Sequence, residues 1–298
     1  MKSVPAPRLH IVDVFASEPY TGNPLAVVSR PGALDGGTMQ QIALEMNYSE
    51  TTFVVDGAAG DTSFGVRIFT PTAEIPFAGH PTLGTAHVLL RELGWPREDR
   101  VVLQLGVGPV EVRADIDDGV EWLWMVPPTP KLGPALDAAL GARLLGLEPD
   151  AIDPRWPVCE ANVGISFVMV PLRSLEALGR CRLDAQELAR TLARGSNAIG
   201  VFPFVPAARE PGHDVAARMF FESQGVREDP ATGSACTCLA GYLLEHEVLG
   251  RGDVEARVEQ GYEMGRPSLL RLRAQRGADG VRVEVGGRVI TTARGELA

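Results

Sequence analysis

The chain has 298 residues, of which 45% are hydrophobic and 22% are charged, and its formal net charge is −10. This composition is typical of a soluble globular protein with room for two domains, and no apolar run approaches the ~20 residues of a membrane helix. An acidic chain without a basic run lacks the Lys and Arg surface that neutralises phosphates, so we expect no binding to nucleic acid.

The N-terminal segment and the cysteines indicate a cytoplasmic protein. Asp13 interrupts any apolar signal-peptide core, so we do not expect secretion. The four cysteines show neither paired zinc spacing nor a disulfide-dense pattern, which favours reduced thiols. The histidines form no His-x-x-x-His pair, and no glycine-rich nucleotide loop occurs, so we expect neither a metal nor a cofactor.

The first half of the chain predicts strands around one apolar helix. Strands are expected at RLHIVDVF and NPLAVV, then an amphipathic helix, then a strand at TTFVV. A strand carrying Arg-x-Phe leads into a glycine-containing turn and the helix PTLGTAHVLLREL, which is apolar over most of its circumference and is therefore predicted to be buried. VVLQLGVGPVEVRA and VEWLWMV close this half as strands.

The second half predicts the same order of elements after a Pro-rich linker at 126–136. GISFVMV and AIGVFPFV are strands on either side of an amphipathic helix. Another Arg-x-Phe strand and glycine-containing turn precede the apolar helix ACTCLAGYLL, in which Cys236 and Cys238 are expected to be buried and structural. DVEARVEQ and SLLRLRA are the closing strands.

These two halves carry an internal repeat. EIPFAGHPTLGTAHVLL (74–90) and EDPATGSACTCLAGYLL (228–244) are identical at six of seventeen positions. Residues 67–69 match 218–220, and a Leu-Asp helix start at residue 34 matches one at residue 183, all in the same order. We therefore predict an α/β (α+β) fold of two pseudo-symmetric domains, each a curled, mostly antiparallel sheet around a buried central helix.

Both glycine-containing turns are candidate anion sites. Pro81 suits the first position of a helix, which predicts His80 at the cap of the first buried helix and Ser234 at the equivalent cap of the second. The turns at Gly79 and Gly233 would present free backbone N–H groups, and these would converge if the copies face each other. We expect the negative group of a small substrate to lie there.

Polar residues present in only one copy are candidates for chemistry. Glu50 lies opposite Ile199, Asp229 opposite Ile75, and His80 opposite Ser234. Two carboxylates and a histidine are the groups that proton transfer uses. Each also has an ordinary interpretation: Glu50 as a solvated residue, Asp229 as a turn residue, Ser234 as a helix cap and His80 as a core histidine.

Glu74 and Glu228 occur in both copies and are therefore expected to be structural. Their position just before each turn predicts hydrogen bonds from backbone N–H groups of the turn to their carboxylates.

Several blocks of the chain resemble one family. They are VDVFASEPYTGNPLAVV, MNYSETTFV, RIFTPTAEIPFAGHPTLGTA, GVREDPATGSA, EQGYEMGRPS and GGRVITTARGEL. In this order they resemble the PhzF-like proteins of phenazine biosynthesis, within the diaminopimelate-epimerase-like superfamily. The resemblance implies two similar domains with the last strand returning to the first, here residues 1–128 with about 285–298, and 129–284.

The resemblance also implies an activity and a site. The type member of the family is a cofactor-free isomerase of trans-2,3-dihydro-3-hydroxyanthranilate, usually a homodimer, which implies catalytic Glu50, His80 and Asp229 here. Substrate-binding residues are then expected at Gly79, Thr232, Gly233 and Ser234. The related epimerases carry a cysteine in each turn, whereas this chain has Ala78 and Thr232, which excludes a two-thiol racemase.

The substrate stays open at this stage. The chain departs from the phenazine enzyme at Cys236–Cys238 and at FFESQ (220–224). An isomerase acting by acid/base catalysis in an inter-domain cleft is the expectation. The alternatives are a non-catalytic carboxylate-binding protein on the same scaffold and an isomerase or epimerase of another substrate.

Overall fold

A computed structural model of the chain describes residues 7–29, 34–96, 98–221, 228–277 and 280–297. The fold is mixed α/β and mostly sheet. By its contacts the chain divides into two compact units: unit 1, residues 1–126 with 286–298, and unit 2, residues 127–285. Residues 222–224 of the FFESQ segment lie outside the described residues.

The described residues of unit 1 form two α-helices, and the second is continued by a π-helical turn at Val88–Glu92. The helices are α1 (Gly36–Met46) and α2 (Gly79–His87), and the strands are β1 (Arg8–Val14), β2 (Asn23–Ser29), β3 (Thr51–Asp56), β4 (Ser63–Phe69), β5 (Glu74–Ile75), β6 (Arg100–Leu105), β7 (Gly108–Asp117) and β8 (Val120–Met125). Antiparallel ladders join β1 to β2, β3 to β4, β6 to β7 and β7 to β8. Parallel pairs join β2 to β3 and β4 to β6.

Unit 2 follows the same order with additional elements: a strand and a helix before the first matched strand, and a short helix before the matched amphipathic helix. Its helices are α3 (Ala138–Leu144), α4 (Leu175–Arg180), α5 (Ala185–Ala193) and α6 (Gly233–Glu245), and its strands are β9 (Lys131–Leu136), β10 (Val158–Asn162), β11 (Ser166–Pro171), β12 (Ala198–Val205), β13 (Val215–Ala217), β14 (Met219–Phe221), β15 (Glu228–Asp229), β16 (Val254–Gln260) and β17 (Ser268–Gly277). Strand β18 (Gly280–Gly287) begins in unit 2, and its last two residues belong to unit 1. The pair β10–β11 is antiparallel, β11–β12 parallel, β12–β14 antiparallel, β13–β16 parallel and β16–β17 antiparallel. This is the pairing pattern of β1, β2, β3, β4, β6 and β7.

The repeated Leu-Asp start is explained by helix capping. Asp35 is the N-cap of α1 and accepts from Thr38 N at 2.8 Å. Asp184 is the N-cap of α5 and accepts from Gln186 N and Glu187 N, each at 3.0 Å. A carboxylate at this position satisfies N–H groups that the helix itself cannot, so the same residue recurs in both copies.

Both central helices are buried, as predicted. Every residue of α2 is buried, and every residue of α6 except Glu245. Close packing requires glycine within each helix. A Cβ on Gly84 would lie 2.5 Å from Leu25 Cδ2, and one on Gly241 would lie 2.6 Å from Pro130 Cγ. The apolar circumference of each segment therefore reflects a helix surrounded by its own sheet.

The predicted linker at 126–136 is wrong over most of its length. Residues 131–136 form β9, which pairs antiparallel with β10. The pairing register of this ladder shifts between Cys159 and Ala161. Pro134 lies opposite this irregularity, so the ladder tolerates a residue that has no N–H to donate. Prolines in an edge strand look like a linker in sequence.

The last strand returns to unit 1. Strand β19 (Val289–Glu296) pairs antiparallel with β1, from Val14 opposite Val289 to Arg8 opposite Glu296. Glu92, at the end of the π-helical turn, accepts hydrogen bonds from Thr291 Oγ1 at 2.7 Å and from the Arg294 guanidinium. The Arg294 guanidinium lowers the pKa of Glu92 to about 2, so this carboxylate is ionised and holds the strand.

Candidate active site

Two Arg–Glu pairs flank the turns at matched positions. In unit 1, Arg67 donates to Glu74 at 2.8 and 2.6 Å, and in unit 2, Arg218 donates to Glu228 at 2.7 and 2.9 Å. Both glutamates are structural, but their partners are the arginines of the Arg-x-Phe strands; the predicted bonds to turn N–H groups are wrong. The side chains lie across a two-strand ladder, which favours an ion pair.

The loop before β2 places Asn23. Asp13 Oδ2 accepts from Tyr20 N at 2.7 Å, which closes the loop. Gly22 has φ +67°, and a Cβ there would lie 2.3 Å from Val14 O, so the turn requires glycine. Asn23 is fully buried as the first residue of β2.

The first cluster, in unit 1, consists of Asn23, Glu50 and His80. Glu50 directly precedes β3, and its Oε2 lies 3.4 Å from Nε2 of His80. The His80 side chain is 3% exposed and that of Glu50 is 15% exposed. Asn23 Nδ2 lies 3.2 Å from Nδ1 of the same imidazole. The structure thus brings together two of the predicted catalytic residues.

His80 is neutral in this site. Burial lowers its pKa to about 3, because the charged imidazolium would lose its hydration. The Asn23 amide nitrogen can only donate, so Nδ1 is the acceptor and the single ring proton lies on Nε2. The N–H of His80 therefore faces the Glu50 carboxylate.

The second cluster, in unit 2, consists of Asp229, Thr232 and Gln260. Thr232 Oγ1 donates to Asp229 Oδ2 at 2.6 Å. Gln260 Nε2 donates to Asp229 O at 2.8 Å and to Thr232 Oγ1 at 3.1 Å, while Gln260 Oε1 accepts from Thr232 N at 3.1 Å. All three residues are buried, so this network is shielded from water.

The two copies of the repeat differ at the position of Gln260. Strand β16 ends at Gln260 before Gly261, and β6 ends at Leu105 before Gly106. A Cβ on Gly261 would lie 2.6 Å from Pro230 O, and one on Gly106 would lie 2.8 Å from Pro76 Cα. Both glycines therefore let a strand pass the proline of the matched turn. At the preceding position only unit 2 has a polar side chain.

Both central helices begin earlier than predicted. The N-caps are Ala78 and Thr232, so His80 and Ser234 are second helical residues and Pro81 is the third. Gly79 and Gly233 are the first residues of the helices and extend them toward the turns. Helix geometry leaves the N–H groups of the first residues without intrahelical acceptors, and Ser234 is 3% exposed at this end of α6. A substrate contact through Gly79, Gly233, Ser234 or Thr232 stays a prediction.

The two cysteines of α6 are buried, as expected. Cys236 and Cys238 are fully buried, and burial raises the pKa of both thiols, so neither forms a thiolate at neutral pH. No group of three or more His, Cys, Asp or Glu able to hold a metal occurs among the described residues. In the same part of the chain, the structure contains no helix with the length and apolar character of a membrane span.

Sequence reasoning missed Asn23 and Gln260. Asn23 is part of the TGNPLAVV block, where the only local signal was a polar residue at the start of an apolar strand. Gln260 belongs to EQGYEMGRPS and contacts Thr232, 28 residues upstream. Extending the repeat through the closing strands would have aligned Gln260 with Leu105 and marked Gln260 as a polar residue present in only one copy.

Comparisons with known proteins agree with this fold. Residues 12–295 match the model of a family described as phenazine biosynthesis-like protein, PhzC-PhzF. A trans-2,3-dihydro-3-hydroxyanthranilate isomerase of Pseudomonas aeruginosa is 37% identical over 97% of this chain and 98% of its own length. The crystal structure of a PhzF-family protein of Bacillus anthracis has a TM-score of 0.89 at 22% identity and covers 99% of both chains.

A more distant structure has the same fold. The crystal structure of a hydroxyproline epimerase of Agrobacterium vitis has a TM-score of 0.65 at 13% identity, over 100% of this chain and 94% of that one. The family match spans nearly the whole chain, and the similar curated protein is named an isomerase. The chain therefore belongs to the phenazine biosynthesis-like family, PhzC-PhzF, as an isomerase of that family.

Proposed function

We propose that the protein is a cofactor-independent isomerase that moves a proton and a double bond on a small carboxylic acid of the trans-2,3-dihydro-3-hydroxyanthranilate type. The substrate class is that of the Pseudomonas aeruginosa relative, which is 37% identical over nearly the whole chain. The observation that carries the mechanism is the Glu50 carboxylate, 3.4 Å from the Nε2 atom of a buried, neutral His80.

Glu50 is the proposed acid/base. Its carboxylate takes a proton from one carbon of the substrate, and the electrons of that C–H bond form the shifted double bond. The original C=C bond breaks, and its electrons take the proton back from the same carboxyl to form the new C–H bond at another carbon. The reaction is balanced without a redox partner, since one proton leaves and one arrives. A carboxylate in a largely buried site is poised for both steps because few waters compete for the proton.

In this scheme, His80 orients the Glu50 carboxylate and polarises the substrate. Because its ring proton lies on Nε2, it can donate to the Glu50 carboxylate or to a substrate oxygen nearby. A neutral imidazole donates without adding a positive charge, so it does not hold Glu50 permanently in its ionised form. The neutral state therefore suits a carboxyl that must be protonated and deprotonated in each turnover.

The second cluster is proposed to bind the same substrate. Thr232 holds Asp229 by a hydrogen bond. Asp229 would polarise the substrate or relay a proton at the other end of the substrate. The N–H groups at the starts of α2 and α6 would bind the substrate carboxylate, because helix N-termini attract anions. This assignment explains how a chain of net charge −10 takes an anionic substrate.

Turnover tests the proposal. Conversion of trans-2,3-dihydro-3-hydroxyanthranilate is measured for the wild type, Glu50→Gln and Glu74→Gln. We expect kcat to fall by about 10²–10⁴-fold in Glu50→Gln, the range for losing a general base. Glu74→Gln is the matched control, because Glu74 pairs with Arg67 outside both clusters, and it should keep near wild-type kcat. Wild-type kcat in Glu50→Gln would refute the role of Glu50.

A further inference from the structure

Thr232 occupies the N-cap of α6 without capping it. Threonine at this position ordinarily accepts a hydrogen bond from an N–H group of the first helical turn. Here its side chain makes no such bond. The hydroxyl instead donates to Asp229 Oδ2 at 2.6 Å, although the end of a helix lies within its reach.

Gln260 supplies the reason. Its Nε2 atom donates to Thr232 Oγ1 at 3.1 Å from one side, and the one proton of that hydroxyl is directed to Asp229. The Oε1 atom of Gln260 accepts a hydrogen bond from Thr232 N, and Nε2 also donates to the Asp229 carbonyl oxygen. One amide thus fixes the backbone on both sides of Pro230.

We propose that Gln260 is a positioning residue that keeps the Thr232 hydroxyl off the end of α6 and aimed at the Asp229 carboxylate. Without it, Thr232 can rotate to cap the helix, which takes a donor from Asp229 and covers N–H groups at the α6 N-terminus. The inference rests on the proposed function only in the catalytic use of Asp229; the geometry of the network is independent of turnover.

The carboxylate of Asp229 reports on this arrangement directly. A hydrogen bond donated to a carboxylate favours its ionised form, so losing the bond moves protonation to higher pH. Hydrogen bonds to charged groups are strong enough to move a titration midpoint by about 1 pH unit. The midpoint therefore distinguishes a positioning role from a contribution to packing, which leaves the titration in place.

The experiment is a carboxyl ¹³C NMR titration of aspartate-labelled protein, with Asp229→Asn to assign the signal. In Gln260→Leu, which installs the residue of the matched position 105, we expect the Asp229 midpoint to rise by about 1 pH unit. Thr232→Val should produce the same rise, and the double variant no more than either single one. Thr237→Val is the control, because it removes a buried hydroxyl of α6 that donates to Gly233 O, a helix carbonyl, at 2.9 Å.

An unchanged midpoint in Gln260→Leu overturns the proposal, as does a rise of equal size in Thr237→Val. If Gln260→Leu does not fold, Thr232→Val decides alone, and a wild-type midpoint there also overturns it. A protein without isomerase activity would still give this titration. Failure of the proposed function and failure of the Gln260 assignment are therefore separate results.

Discussion

The His80 side chain is buried as a neutral base, and this predicts how the stability of the protein depends on pH. Its pKa is about 3 in the folded protein and 6.5 when unfolded, so the unfolded chain binds more protons between these values. This contribution to stability is complete above pH 6.5 and is lost as the pH falls toward 3. The free energy of unfolding should fall by about 1.4 kcal/mol per pH unit in that window from His80 alone.

Urea unfolding at pH 7 and pH 5 measures this effect. His80→Asn should show a smaller difference between the two pH values than the wild type. The buried histidines His10 and His87, whose pKa values burial also lowers, contribute equally to both proteins and cancel in the comparison. An identical pH dependence in His80→Asn would mean that His80 is not neutral in the folded state.

The sequence repeat identified candidate catalytic residues, because these differ between the two copies. It did not identify the residues that hold them in position. Glu50, His80 and Asp229 differ from their counterparts in the other copy, which marks them. Asn23 and Gln260 act through hydrogen bonds to residues 57 and 28 positions away, and no local pattern encodes such a pair. Asn23 is recognised only once the fold fixes which side chains are neighbours, whereas Gln260 also differs from Leu105 at the matched position of the repeat.

The matched Arg–Glu elements differ in burial, which predicts unequal contributions to stability. Arg218 is 4% exposed and also donates to carbonyl groups at the end of α4, whereas Arg67 is 35% exposed. Breaking a buried pair costs about 3–5 kcal/mol, and an exposed pair about 0–1 kcal/mol. Urea unfolding of Arg218→Met and Arg67→Met should show this difference, and equal losses would contradict the burial argument.

The N-termini of the central helices predict a separation of binding from stability. Gly233→Val places side-chain atoms at the start of α6 and should raise KM for the carboxylic acid at least tenfold, with a modest loss of stability. Gly241→Ala, in the same helix, should lower the melting temperature through overlap with Pro130 while leaving KM unchanged. A wild-type KM in Gly233→Val would remove the helix N-terminus from the account of substrate binding.

The starts of α2 and α6 were predicted two residues late. Proline is common at the first helical position, and Pro81 was assigned there. The helix instead begins at Gly79, because Ala78 is already extended with φ −151° and the third helical position also needs no N–H donor. Proline alone therefore does not distinguish the first from the third residue of a helix.

The returning strand β19 makes the two units unequal at the scale of the whole molecule. Residues 127–285 contain their own core and the complete pairing pattern from β9 to β17, so we expect this segment to fold when expressed alone. Residues 1–126 lack β19, which leaves β1 unpaired on one side, and should not fold alone.

Amide exchange and thermal unfolding of the two segments test these domain limits. A folded 1–126 segment, or an unfolded 127–285 segment, would contradict them. The architecture was predictable because both copies must solve the same problems: an acidic helix cap, an Arg–Glu ladder and a glycine beside a proline. The strand β9 was missed because Pro134 at an edge strand has the composition of a linker.

We propose that Glu50 removes a proton from the substrate and returns it to another carbon. The most direct measurement incubates wild type and Glu50→Gln with trans-2,3-dihydro-3-hydroxyanthranilate in D₂O and follows hydrogen exchange by NMR. The wild type is predicted to form isomerised product with one solvent deuterium at the carbon that is newly protonated, and Glu50→Gln to form none at a comparable rate. Exchange at the wild-type rate in Glu50→Gln, or binding without any exchange in the wild type, would contradict this account.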